Sequence, residues 1–95
     1  MRGSLQQLVA AIPGARLVGP DASFEGVSTD SRKVDAGALF VALVGETFDA
    51  HDFLDQVVAR NVAAVVVSRL PDGWTLPAIV VPDTLVALGR IAHAW

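Results

Sequence analysis

The sequence predicts an α/β domain: a small, mostly parallel sheet with flanking helices and a short strand pair at one edge. Three observations predict it. Residues 38–44 and 62–67 are uninterrupted apolar runs, the pattern of strands buried on both faces of a parallel sheet. Between them, residues 49–60 carry Phe53, Leu54, Val57 and Val58 at helical spacing. Strand, helix and strand within about 30 residues make a βαβ unit, whose crossover is expected to be right-handed. Finally, hydrophobic residues make up 53% of the 95 residues and charged residues 18%, enough apolar matter for one packed core and too little charge for a disordered tail.

The other elements follow in order. Ser4 stands at an N-cap position with Gln7 three residues on, a capping-box spacing, and Leu5, Leu8, Val9 and Ile12 give the helix after it one apolar stripe. Pro13-Gly14 stops that helix. Residues 15–18 read as a short strand ended by Gly19-Pro20, and residues 24–28 as another; these two are expected to form the antiparallel pair at the edge. Asp49 is the N-cap of the helix over 49–60, and Asn61 suits the left-handed position that ends it. Pro71-Asp72-Gly73-Trp74 is a loop, residues 78–81 are a third buried strand, and Asp83 caps a last helix with Leu85, Leu88, Ile91, Ala92 and Trp95 on its apolar stripe. That stripe is expected to leave an apolar face prone to self-association. Arg2 is assigned no role, since Met1-Arg2-Gly3-Ser4 reads in part as an expression remnant. The chain stops at Trp95 within the last helix, as if cut from something longer.

Composition excludes several functions. A formal net charge of −3 with no basic run argues against nucleic-acid binding. Without cysteine there is no disulfide framework, thiolate nucleophile or cysteine metal site. Two histidines, His51 and His93, are too few for a histidine zinc site unless carboxylates join them, and no metal-ligand spacing or nucleophile–base pair is present, so no catalytic residue is assigned. No apolar run reaches transmembrane length and no signal peptide is visible, so no membrane partner is expected and the cytoplasm is the default location.

Two polar loops bracket the first buried strand. Ser28-Thr29-Asp30-Ser31-Arg32 offers three hydroxyls, a carboxylate and a guanidinium in five residues. These can hold a nucleotide or phosphate, with Arg32 as anion partner, or can satisfy their own turn, with Arg32 paired to Asp30 or Asp35. Gly45-Glu46-Thr47-Phe48 leaves the strand at its carboxyl end, where ligands of open α/β sheets bind. Phe48 can stack on a flat base or staple the helix it precedes. His51, in the first helical turn, can bond a ligand or hold the turn. His93 reads as surface or interface.

The string from Ser28 to Phe53 carries Asp-Ser-Arg, then Gly-x-Leu-Phe-Val-Ala, then Gly, then Asp-x-His-x-Phe. It strongly resembles the N-terminal domain of the Mur ligases, and residues 63–67 fit that family's next strand. The likeness spans nearly the whole chain. Within the family, Phe48-Asp49-Ala50-His51-Asp52-Phe53 is most similar to the members that add D-alanyl-D-alanine to UDP-N-acetylmuramoyl-tripeptide. The sister members that add the third peptide residue more often have Gly where Ala50 stands.

The resemblance implies a three-domain ATP-dependent ligase of peptidoglycan synthesis. Its first domain binds the UDP part of the UDP-N-acetylmuramoyl-peptide, its central domain holds ATP and Mg²⁺, and its C-terminal domain brings the amine. An acyl phosphate forms on the peptide carboxylate and is attacked by that amine. Carried over by position, Thr29 and Ser31, with Glu46, Thr47 and Phe48, contact uridine or diphosphate. Asp30 and Arg32 shape the first loop or reach the ligand, and His51 belongs to the same set. Glu46-Thr47 departs from the His-Gln common in the sister enzymes. The Gly-Lys-Thr nucleotide loop is absent, so residues 1–95 are expected to form a single substrate-binding domain that lacks the central and C-terminal domains, binds neither ATP nor magnesium, and turns nothing over alone. The competing expectation is a non-catalytic α/β module that packs on a partner.

Overall fold

The computed structural model describes residues 2–94 and is a three-layer α/β/α arrangement around a five-stranded sheet. The elements, in order, are β1 (Arg2–Ser4), α1 (Leu5–Ala11), β2 (Arg16–Val18), β3 (Ser23–Glu25), β4 (Val27–Ser28), β5 (Leu39–Val41), a 3₁₀ turn (Ala50–Phe53) running into α2 (Leu54–Ala59), β6 (Ala64–Val67), β7 (Ala78–Val80) and α3 (Thr84–Ala94). The main sheet has the order β2-β7-β6-β5-β4. Its four strands β4 to β7 pair in parallel and β2 closes one edge antiparallel to β7. The expected fold class is borne out.

The two apolar runs alternate as buried parallel strands must. Leu39, Val41, Ala64 and Val66 face α1 and α3, in one core with Leu5, Leu8 and Ile91. Phe40, Ala42, Val65 and Val67 face α2, in a second core with Val34, Leu54 and Val57. The capping box at Ser4 is present: its hydroxyl accepts the Gln7 N–H, and the Gln7 side-chain oxygen accepts the Ser4 N–H at 3.0 Å. Asn61 takes the left-handed conformation at φ 63° after α2. Asp83 Oδ1 accepts from Leu85 and Val86 at the start of α3.

Several expectations are corrected. Residues 24–28 do not form one strand, and they do not pair with residues 15–18. Gly26, at φ +85°, breaks the segment in two. The first half, β3, pairs antiparallel with β1, and the second, β4, joins β5 in parallel. A turn that only glycine adopts without strain thus transfers the chain from a small ribbon to the main sheet. The run 38–44 is strand only over Leu39–Val41, because the chain turns toward Gly45 and exposes Val44. Val58 is exposed rather than buried. On α3 the buried positions are Thr84, Ala87 and Ile91; Leu85 is 65% exposed and Ala92 is exposed. Helical phase explains this, since Ala87 and Ile91 are four apart and Leu85 lies off their line. Trp95 lies outside the described residues.

Gly14 locks the turn after α1 against the loop before α3. Its φ is +75°, and a Cβ there would stand 2.9 Å from Pro82 Cγ. Gly14→Ala is therefore expected to destabilise the domain by about 1–2 kcal/mol in chemical denaturation, whereas Gly73→Ala, with no atom near its would-be Cβ, meets only the backbone penalty.

Candidate functional site

The site begins with the parallel pairing of β4 and β5. Adjacent parallel strands end on the same side of a sheet, so the loops that follow them emerge side by side. The loop after β4 folds on itself. Ser28 Oγ accepts the Asp30 N–H at 3.1 Å, and Asp30 Oδ1 accepts the Arg32 N–H at 2.8 Å. The Asp30 carbonyl accepts from Lys33 and Val34. The Arg32 N–H, with the guanidinium beside it, holds the Asp30 carboxyl below its ordinary value. Arg32 Nε lies 3.5 Å from Asp30 and its side chain is largely exposed. The turn-building role expected of Ser28 and Asp30 is thus present, and the Arg32 guanidinium remains accessible.

The loop after β5 is a tight reversal. Gly45 N–H donates to the Phe48 carbonyl, Ala50 N–H to the Leu43 carbonyl, and Val44 bridges Asp49. Glu46 and Thr47 sit at its exposed tip. Phe48 immediately precedes the cap residue Asp49 and stacks on Phe53, four residues beyond that cap, with centroids 5.5 Å apart and planes 20° apart. This is the staple geometry. Phe48 nonetheless stays 48% exposed, so part of the ring is open to a ligand.

Asp49 anchors the loop. Oδ1 accepts from the His51 backbone N–H at 2.9 Å and from His51 Nδ1 at 2.7 Å, and Oδ2 accepts from Arg69 Nη2 at 2.8 Å. The other His51 ring nitrogen, Nε2, accepts the Ser68 N–H at 2.9 Å. An acceptor at Nε2 and a donor at Nδ1 define the neutral Nδ1–H tautomer. The buried ring thereby ties the start of the helix to the end of β6. Arg69 and the His51 N–H hold the Asp49 carboxyl down at about 2.

Between the two loops lies a cavity of about 570 Å³. Thr29, Asp30, Ser31 and Arg32 form its polar wall; Phe48, Phe53 and Gln56 form the other. Five of the eight residues singled out in the sequence therefore meet at one place. Glu46 and Thr47 are not on its lining, although they share the Phe48 loop. His51 lies inside the fold and lines a separate, smaller cavity of about 120 Å³ with Arg69. Phe53 and Gln56 also line the larger cavity, and neither is among the site residues expected from the sequence: Phe53 is assigned there to the buried face of the helix and Gln56 is given no role. Their spacing of three residues, which puts both on one face, was the available signal. Among the described residues no group of three or more His, Cys, Asp or Glu stands close enough to hold a metal ion.

The family described as "Mur ligase family, catalytic domain" matches residues 23–95. The chain belongs to the Mur ligase family. Its relatives include the UDP-N-acetylmuramoyl-tripeptide–D-alanyl-D-alanine ligase of Escherichia coli K12, 48% identical over 92 residues, covering 97% of this chain and 20% of that protein. The UDP-N-acetylmuramoyl-L-alanyl-D-glutamate–2,6-diaminopimelate ligase of Aquifex aeolicus is 40% identical over 88 residues, covering 87% of this chain and 18% of that one. Among solved structures, MurF from Acinetobacter baumannii superposes with a TM-score of 0.83 at 38% identity, covering 95% of this chain and 20% of that one. MurF from Thermotoga maritima, solved in complex with ADP, gives 0.65 at 26% identity, covering 73% and 16%. The chain spans about a fifth of the length of these relatives.

Proposed function

We propose that the cavity between the two loops binds the UDP part of a UDP-N-acetylmuramoyl-peptide, and that this chain is the single substrate-recognition domain of a cytoplasmic ATP-dependent ligase. The observation that carries the reading is the meeting of residues 29–32 with Phe48 at one cavity. Arg32 and the hydroxyls of Thr29 and Ser31 suit a diphosphate, and the exposed part of Phe48 suits a planar base. Glu46 and Thr47 extend the rim, and His51 acts by fixing the loop that carries Phe48. The parent enzyme forms an amide with D-alanyl-D-alanine, in keeping with the 48% identity to the E. coli ligase. The Aquifex relative, at 40%, supports the second reading, a sister ligase adding the third peptide residue. ATP and magnesium belong to a central domain and the incoming amine to a C-terminal domain, both outside this chain, which by itself neither hydrolyses ATP nor ligates.

NMR titration of the chain with UDP tests this. Shifts are expected at residues 29–32 and 46–48. Phe48→Ala is expected to weaken binding about 5- to 150-fold, the range of one base–aromatic stack. An unperturbed spectrum at millimolar UDP would leave only a packing module.

A further inference from the structure

The two walls of the cavity differ in chemistry. The wall of residues 29–32 carries hydroxyls and both charges, with Asp30 already committed to Arg32. The opposite wall is two stacked phenyl rings and one primary amide, that of Gln56. Phe53 and Gln56 are three residues apart across the junction of the 3₁₀ turn and α2, so the amide stands one turn along from the ring that backs Phe48. Gln56 is exposed and its amide has no hydrogen-bond partner among the described residues. A nucleotide whose phosphates lie toward Arg32 and whose base lies toward the phenyl rings brings the base edge to that amide.

Resting on the nucleotide reading above, we propose that Gln56 is a base-contacting residue: its side-chain oxygen accepts the N3–H of the pyrimidine ring and its NH₂ donates to the adjacent carbonyl. The amide is the one group on the lining that offers a donor and an acceptor side by side in a plane. Arg32 only donates, and the ionised Asp30 only accepts. Because an amide can turn over, the contact recognises a pyrimidine edge and does not by itself separate uracil from cytosine.

The test pairs a protein change with a ligand change. The 95-residue chain, Gln56→Ala and Gln56→Met are titrated by NMR with UDP and with UDP methylated at N3, which lacks the donor. The unaltered chain is expected to prefer UDP by about 3- to 10-fold, the worth of one net hydrogen bond. Both variants are expected to bind UDP weaker by a similar factor and to treat the two ligands within about twofold of each other. Gln56 is exposed, so both variants fold, and unchanged Phe48 and Phe53 ring signals confirm it. If the unaltered chain binds UDP and the variants keep its affinity or its preference, the Gln56 assignment is wrong and the nucleotide reading stands. If the unaltered chain shows no UDP shifts, both fall.

Discussion

Replacing Phe40 with alanine is expected to cost about 3–5 kcal/mol of stability, the range for emptying a large aromatic from a close-packed core. Phe40 is fully buried in β5, among Val34, Leu54, Val57 and Val65. Few neighbours can collapse into the space, because Ala38, Ala42 and Ala50 of the same core are small and held by backbone hydrogen bonds. A domain of this size has about 5–15 kcal/mol in total, so the variant is left marginal. The loss should extend to the site, since the α2 helix that carries Gln56 packs on this core through Leu54 and Val57. Urea denaturation followed by the fluorescence of Trp74, which packs against the same core, measures it. Leu85→Ala, on the exposed side of α3, should stay within about 0.5 kcal/mol. Comparable midpoints for the two variants would contradict the burial pattern.

Asp49→Ala is expected to cost about 2–4 kcal/mol. It removes a helix cap, worth about 1 kcal/mol, and strands a donor on the buried His51 ring, worth about 1–3 kcal/mol. The lost pair with the half-exposed Arg69 adds little. Asp52→Ala, whose carboxylate lies 4.0 Å from Arg69 and is largely exposed, serves as the near-neutral control. Acid provides a second readout. The Asp49 carboxyl lies at about 2 in the folded chain against an ordinary 3.8. A depressed folded value means that the contribution is fully present above the ordinary value and disappears as pH falls from about 4 toward about 2. The difference between the unaltered chain and Asp49→Ala should therefore shrink across that window. A gap that stays constant from pH 6 to pH 2 would show that ionised Asp49 does not hold the loop.

Much of the fold was legible because its signals are local. The all-apolar runs announced strands with two covered faces, and Leu39 and Phe40 do face opposite cores. Ser4 with Gln7, Asp49, Asn61 and Asp83 marked helix ends, because capping bonds join residues two to four apart. The order of motifs from Asp30 to Phe53 marked the family. Residues 29–32 and Phe48 were legible as site candidates because they lie in two polar loops that bracket the apolar run 38–44.

The tertiary structure decided which strands meet. Nothing local to residues 24–28 shows that Gly26 splits them, or that Val27 and Ser28 lie parallel to β5 while the first half pairs with a strand at the chain start. That pairing alone sets the two loops side by side, since hydrogen-bond partners across a sheet are chosen by long-range packing and not by neighbouring residues. The same holds for His51: its hydrogen bond from Ser68, 17 residues away, fixes a ring that the sequence left equally suited to a ligand. The residues, the caps and the buried runs were thus written in the chain; the cavity they enclose came into being only when β4 took its place beside β5.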